Sequence, residues 1–175
     1  MKPLFLTFAQ TRPLAALLLL ASIAILATAY ISQYVFHYDP CVLCLYQRKP
    51  YFAVIALSLL ALGLARSRPC LARWMLAGCA AAFAVGIGLA LYHTGVEQTW
   101  WAGTQACGGG DGLPASGDIE ALRAYLENKR VTRCDVPTWK LFGLSMTVYN
   151  LIASAALFAF SALMLWLGRC RKAAL

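Results

Sequence analysis

Residues 14–36 read LAALLLLASIAILATAYISQYVF, and residues 37–44, which follow directly, read HYDPCVLC. The first stretch carries no charge and is long enough to cross a bilayer, since a membrane-spanning helix needs about 20 apolar residues. It is longer than the roughly 7–15 apolar residues of a cleaved secretion signal, and it leads straight into a Pro-Cys motif. We therefore expect a retained transmembrane helix followed by a short loop with two cysteines.

Three further apolar runs cover residues of about 45–65, 71–93 and 144–167, the first of them with Arg48 and Lys49 in its opening turn. The chain is 61% hydrophobic and only 13% charged, whereas soluble domains carry about 25% charged residues. The sequence predicts an all-α membrane protein in which residues 1–175 form a single domain, a four-transmembrane-helix bundle.

The charged residues fix the expected orientation. All seven acids fall in the segments on one side of the membrane, and the segments on the other side hold bases and no acid. The acids are Asp39, Glu97, Asp111, Asp118, Glu120, Glu127 and Asp135, and the opposing bases are Lys2, Arg12, Arg66, Arg68, Arg73, Arg169, Arg171 and Lys172. Because cytoplasmic segments carry the excess of Lys and Arg, both termini are predicted to be cytoplasmic, with outer loops at about 37–44 and 94–143. The bases are few and lie between apolar runs, so we expect membrane lipid and no nucleic acid as a partner.

The second loop is long enough to suggest a function of its own. Within residues 116–130, Ile119, Leu122, Tyr125 and Leu126 share one face at helical spacing. This pattern predicts a short amphipathic helix on the membrane surface, and a helix packed on the loop's own residues fits it nearly as well.

Seven cysteines are sorted by this topology. Cys70 and Cys170 fall at cytoplasmic ends of spans and Cys79 falls inside the third, where a structural role is expected. The other four, on the outer side, are Cys41, Cys44, Cys107 and Cys134. An even number of cysteines in an oxidising compartment implies disulfides, and four allow three pairings. Cys41 and Cys44 have the Cys-x-x-Cys spacing of redox dithiols, in which case Cys107 and Cys134 pair across the long loop.

A disulfide between Cys41 and Cys44 closes almost no loop, so it would stabilise the fold very little. The pair sits where the second span begins, and a helix N-terminus favours a thiolate. Arg48 lies one turn beyond Cys44 and adds a cation on that face, although a side chain reaching lipid headgroups explains it as well. A zinc site of the four cysteines does not suit an oxidising compartment, and we predict no metal.

Specific motifs extend these observations. They are PCVLCLYQR at residues 40–48, YHT at residues 92–94, and Cys134 followed by Trp139 and FGLSM at residues 142–146. With them the chain resembles, over nearly its whole length, the disulfide bond formation protein B (DsbB) family. The resemblance implies a protein-dithiol:quinone oxidoreductase of the bacterial inner membrane, with both outer loops in the periplasm. Such a protein reoxidises a periplasmic thioredoxin-fold oxidase of the DsbA type and passes the electrons to ubiquinone or menaquinone.

The resemblance also implies roles for the cysteines. The partner attacks Cys107, the released Cys134 attacks Cys41, and Cys44 leaves as a thiolate beside the quinone. Arg48 would stabilise that thiolate and a quinone oxygen. His93 is a candidate quinone contact, with a plain interfacial histidine as the alternative.

Other interpretations remain at this stage. A vitamin K epoxide reductase-like protein shares the helices and the quinone chemistry, but it places its Cys-x-x-Cys late in the chain. A small membrane transporter or assembly factor with purely structural disulfides would need polar groups through the membrane, and we expect almost none in mid-span. The Gly-rich, charged stretch from Cys107 to Cys134, and Gln47 before Arg48, leave open whether the partner is a general or a dedicated oxidase.

Overall fold

A computed structural model of the 175-residue chain describes residues 11–108, 119–120 and 132–167. The described part is mostly helical. Its long helices are α1 (Thr11–Tyr34), α2 (Val42–Leu64), α3 (Pro69–Glu97) and α4 (Met146–Leu167). A 3-10 turn covers Gln105–Gly108, and two short antiparallel strands, β1 (Lys140–Leu141) and β2 (Leu144–Ser145), precede α4. The amphipathic helix predicted at 116–130 lies outside the described residues apart from Ile119 and Glu120, which are helical and exposed.

Three of the helices, α1, α3 and α4, are long and apolar enough to cross a membrane. The fourth, α2, has 23 residues, but its first two turns contain Gln47, Arg48 and Lys49. These polar side chains shorten the apolar stretch of α2, so its length and composition alone do not mark it as a helix that crosses a membrane. Large apolar side chains such as Trp74 and Trp166 point outward from the helices. An all-α membrane protein, as predicted, fits this arrangement.

The helices pack mainly in sequence order, α1 on α2, α2 on α3, and α3 on α4, whereas α1 and α4 touch little. Their buried side chains form one apolar core that includes Leu18, Val54, Leu76, Phe83 and Met164. Close packing depends on small residues of α3: a Cβ atom on Gly78 would lie 3.1 Å from a methyl carbon of Leu57 in α2. α1 and α4 border a cavity together with α2, which is described below.

Two helix ends differ from the bounds expected for the spans and loops. α2 begins at Val42, so Cys44 is helical and Cys41 is the residue just before the helix. α3 continues to Glu97, so the first residues assigned to the long loop are its last turn. Both differences have one cause: an apolar run marks where a chain is buried in lipid, while a helix continues for as long as its backbone hydrogen bonds are satisfied.

The hairpin of β1 and β2 turns at Phe142 and Gly143, both of which have positive φ, 49° and 80°. Two consecutive residues of this kind are typical of a tight two-residue turn. The turn leaves the Phe142 side chain 92% exposed. The hairpin then feeds Ser145 directly into the start of α4, beside the end of α3.

Candidate functional site

The first cysteine pair lies at the N-terminus of α2. Cys41 has an extended backbone (φ −72°, ψ 169°), and its Sγ accepts a hydrogen bond of 3.3 Å from the backbone N–H of Cys44. The Cys41 sulfur therefore caps the helix, because it accepts from a first-turn N–H group that would otherwise lack a partner. The two Sγ atoms lie 3.1 Å apart, and the cysteines carry no disulfide in this structure. They are placed as a dithiol that can close.

The second pair is joined: Cys107, on the 3-10 turn, forms a disulfide with Cys134, as the predicted pairing requires. Both half-cystines are buried. They belong to one buried cluster with Cys41, Leu43 and Val96. The two cysteine pairs, more than 60 residues apart in sequence, are thus brought together at one end of the bundle.

His93 lies against the dithiol. Its side chain is buried, and Nε2 lies 3.5 Å from Cys41 Sγ. On the other side of the ring, Nδ1 lies 2.7 Å from Gln47 Nε2 and 3.2 Å from Thr147 Oγ1. The histidine predicted as a quinone contact is therefore placed beside the sulfur, with polar partners from α2 and α4.

Glu97, one turn beyond His93, is a buried carboxylate that the sequence analysis assigned only to the outer loop. Thr147 donates a hydrogen bond of 2.7 Å to its Oε1, and Ser145 donates one of 2.5 Å to its Oε2. Its Oε1 also lies 3.8 Å from His93 Nε2. The carboxylate joins the end of α3 to the start of α4 directly behind the histidine.

These contacts favour negative charge on Cys41. The hydrogen bond with the Cys44 side chain, the nearby His93 and the Cys44 backbone N–H together lower the pKa of Cys41, outweighing the opposing effect of burial. The resemblance led us to expect the thiolate on Cys44. In the structure the hydrogen-bond donors surround Cys41. The helix begins one residue after Cys41, so the backbone N–H of Cys44 in its first turn points at the Cys41 sulfur.

Cys44 faces a different space, a cavity of about 330 Å³ between α1, α2 and α4. Its wall includes Cys44, Arg48, Tyr51, Trp139, Met146 and Asn150. Neither Cys41 nor His93 belongs to that wall among the residues the structure describes. The volume lies within the range of about 300–1,000 Å³ that is usual for small-molecule sites.

Arg48 is held on this wall by α1. Its Nη1 donates a hydrogen bond of 2.7 Å to Gln33 Oε1, and its guanidinium carbon lies 4.8 Å from the centre of the Tyr30 ring. The guanidinium makes no hydrogen bond to either sulfur of the pair among the described contacts. It is instead a fixed cation at the edge of the cavity, with N–H groups able to donate to a ligand oxygen.

A second concavity, of about 560 Å³, lies beside the disulfide. Its lining includes Cys107, Trp101, Thr104, Arg133 and Asp135. Arg133 and Asp135 form an exposed ion pair, which lowers the pKa of the Asp135 carboxyl. Cys107 of the disulfide therefore lines this concavity.

A metal is not needed to explain this cluster. The ligand atoms of Cys41, Cys44 and His93 lie within 4.8 Å of one another, and they form a group of three among the described residues. A structural zinc site takes four ligands. The separation of the two sulfurs suits a pair that exchanges between dithiol and disulfide, and we assign no metal to it.

Apolar helices that place a dithiol against a disulfide define a class of protein, the membrane thiol–disulfide redox proteins. Comparison with known proteins is more specific. The family model described as disulfide bond formation protein DsbB matches residues 11–164. An uncharacterized protein of Rickettsia prowazekii (strain Madrid E), RP370, is 33% identical over 155 residues, a match that covers 89% of this chain and 88% of that protein. The chain belongs to the DsbB family, which makes it a multi-pass membrane oxidoreductase of disulfide bond formation.

Proposed function

We propose that the protein is a protein-dithiol:quinone oxidoreductase of the bacterial inner membrane. It would reoxidise a periplasmic thioredoxin-fold oxidase of the DsbA type and reduce ubiquinone or menaquinone. One observation carries the proposal: the dithiol has two faces. Cys41 packs with the Cys107–Cys134 disulfide, and Cys44 faces the cavity between the helices.

In this proposal all four long helices cross the membrane, within a single domain of residues 1–175. The spans are about 14–36, 45–65, 71–93 and 144–167, with α2 as the span whose polar first turns lie at the periplasmic edge. Both termini are cytoplasmic. The distribution of acids and bases along the sequence supports this orientation.

The first half of the reaction is thiol–disulfide exchange. A thiolate of the reduced partner attacks Cys107, forms a mixed disulfide and releases Cys134. The partner's second thiolate then attacks the mixed disulfide, which releases Cys107, and the partner leaves with its own disulfide formed. Cys134 attacks Cys41 of the Cys41–Cys44 disulfide and releases Cys44 as a thiolate. Cys107 then attacks the new Cys134–Cys41 bond, which releases Cys41 and restores the Cys107–Cys134 disulfide. Each exchange breaks one S–S bond and forms another. Attack at Cys107 is supported by the concavity that this cysteine lines.

The second half would remove two electrons from the reduced pair, together with the protons that the pair carries, and restore the Cys41–Cys44 disulfide. A quinone held in the cavity would accept two electrons and two protons, any proton that the pair lacks coming from water. The position of Cys44 on the cavity wall supports it as the sulfur that passes the electrons. Arg48, fixed by Gln33 and Tyr30, would donate to a quinone oxygen. His93 contributes from the side of Cys41, as described below.

The test is quinone reduction, followed by absorbance, by the purified full chain in detergent with a reduced DsbA-type protein. The parent and the Cys70→Ser variant, a change of an exposed cysteine far from the site, should be active. Cys44→Ser and Cys107→Ser should each abolish turnover. If no reduced dithiol protein drives quinone reduction, and the cysteine changes lower only stability, the proposal fails and a membrane protein with structural disulfides replaces it.

A further inference from the structure

A chain of hydrogen bonds runs from α4 through α2 to the histidine beside the dithiol. The Tyr51 hydroxyl donates to Asn150 Oδ1 (2.6 Å), and Asn150 Nδ2 donates to Gln47 Oε1 (2.5 Å). Gln47 Nε2 then lies 2.7 Å from His93 Nδ1. The chain is continued at its far end by Ser154, whose Oγ lies 2.8 Å from the Tyr51 oxygen.

The direction of this chain fixes the tautomer of the histidine. An amide nitrogen donates and does not accept, so with Gln47 Oε1 occupied by Asn150, the NH₂ group of Gln47 faces the ring. Nδ1 must then offer its lone pair, and in the neutral ring the hydrogen lies on Nε2. Thr147 Oγ1 has donated its hydrogen to Glu97, so it could only accept from Nδ1, but its contact of 3.2 Å is longer than the 2.7 Å contact with Gln47 Nε2. The shorter contact with the amide donor decides the tautomer.

The Nε2–H group of His93 has one acceptor within hydrogen-bond distance, Cys41 Sγ at 3.5 Å. Glu97 Oε1, at 3.8 Å, is the next acceptor and lies just beyond that distance. We propose that Gln47 and Asn150 are positioning residues that hold His93 as the Nε2–H tautomer, which donates to Cys41 when that sulfur is a thiolate and to Glu97 when it is in a disulfide. The hydrogen stays on Nε2 throughout, so no bond to hydrogen is made or broken.

The consequence for the dithiol rests on its proposed role as the redox pair. The Nε2–H group of His93 can donate to the Cys41 thiolate of the reduced pair, whereas the disulfide offers it no charged sulfur. The group therefore stabilises the reduced state selectively and makes the pair a stronger oxidant. Glu97 moderates the effect by receiving the same N–H in the oxidised state. The titratable groups facing the imidazole are Cys41 just before α2, Cys44 in α2 and Glu97 in α3. From α4 the hydroxyl of Thr147 faces the ring, and the Arg48 guanidinium is turned to α1.

The tautomer can be observed directly, because the chain has only two histidines, His37 and His93. In a His37→Gln background, ¹⁵N-histidine NMR of the full chain in detergent reports His93 alone. The parent should show a protonated Nε2 and a bare Nδ1. Asn150→Asp replaces a donor by an acceptor, so the Gln47 amide should turn and His93 should become the Nδ1–H form. Ser161→Ala, which removes a buried polar group of α4 outside the chain, should change nothing.

A parent spectrum with hydrogen on Nδ1, or an unchanged tautomer in Asn150→Asp, would overturn the proposal. If Asn150→Asp does not fold, Gln47→Leu tests the same point: without the donor at Nδ1 the two tautomers should mix, and a pure Nε2–H form in that variant counts against the chain.

The second readout is the pH profile of Cys41 alkylation in the Cys44→Ser background, resolved by mass spectrometry. Gln47→Leu should raise the midpoint by about one pH unit, which is about tenfold less thiolate at a given pH below it, and a midpoint equal to that of the parent would contradict the proposal. Neither measurement uses a quinone or a partner protein. If the Nε2–H tautomer is confirmed but quinone turnover fails, only the proposed function is refuted. If quinone turnover is observed but the tautomer is not the Nε2–H form, only the positioning role of Gln47 and Asn150 is refuted.

Discussion

The contact between Thr147 and Glu97 makes a prediction of defined size. Thr147→Val keeps the shape of the side chain and removes the buried hydroxyl that donates 2.7 Å to the Glu97 carboxylate. A hydrogen bond to a charged group contributes about 1.5–3 kcal/mol, and a buried acceptor left without its donor adds to the loss. We expect the free energy of unfolding to fall by about 2 kcal/mol, which for a chain of this length lowers Tm by roughly 4–8 °C.

The same chain offers a matched control. Thr94, one residue after His93, also has a buried hydroxyl, but no hydrogen-bond partner for it exists among the described residues. Thr94→Val removes an unsatisfied polar group, so Tm should stay unchanged or rise. The assay is thermal unfolding of the purified protein in detergent, followed by the fluorescence of its five tryptophans.

A double-mutant cycle then isolates the pair. In a Glu97→Gln background the acceptor is neutral, and the cost of Thr147→Val should fall to about 1 kcal/mol, the usual value for an uncharged hydrogen bond. Equal losses in both backgrounds, or a loss in Thr147→Val no larger than in Thr94→Val, would refute the assignment of Glu97 as a buried, charged link between α3 and α4.

Three further predictions concern the cavity, the loop and the dithiol. Ala153→Phe should fill the cavity behind Cys44 and lower quinone reduction at least about tenfold without changing thiol exchange between the pairs, whereas Ala156→Phe, on the exposed face of α4, should leave quinone reduction intact. In Gly95→Ala the new methyl would overlap the Trp101 ring that lies over the helix, so that tryptophan should become more exposed and its emission should shift to longer wavelength. Because the pKa of Cys41 is lowered, its thiolate persists as pH falls below neutral and is lost only below that pKa. The rate of its alkylation should therefore stay nearly flat over a range in which an ordinary cysteine loses about tenfold per pH unit.

The sequence was a good guide to the helices and a poorer one to their ends. The uncharged runs of α1 and α4 predicted long apolar helices because lipid burial depends on composition alone. The first turns of α2 were harder, since Gln47, Arg48 and Lys49 are polar there and a sulfur serves as its cap. The hydrogen bond from the Cys44 N–H group to the Cys41 sulfur at the start of the helix cannot be predicted from hydropathy.

The cysteine pairs were predictable because spacing and compartment constrain sulfur chemistry. Their polar surroundings were not, because Gln47 and Asn150 meet across 103 residues and the contact depends on how α2 and α4 are rotated. A signal did exist: Asn150 is a polar residue inside an otherwise apolar run, and such residues usually have a partner. Glu97 likewise stands four residues after His93, on the same helical face. The side chains of Gln47 and Asn150 lie in the first two turns of their helices, near the outer ends of the spans, so the expectation of almost no polar groups in mid-span did not concern them.

The central claim is that electrons pass from the outer pair through the inner pair to the cavity, and counting quinols tests it most directly. The full chain, with both pairs reduced and excess reductant removed, is mixed with quinone in detergent, and quinol and remaining thiols are counted. The account predicts two quinols per chain for the parent, one when Cys107 and Cys134 are both serine, and none when Cys41 and Cys44 are both serine. Quinol formed without Cys41 and Cys44, or a parent that forms only one quinol and keeps the Cys107 and Cys134 thiols, would contradict it.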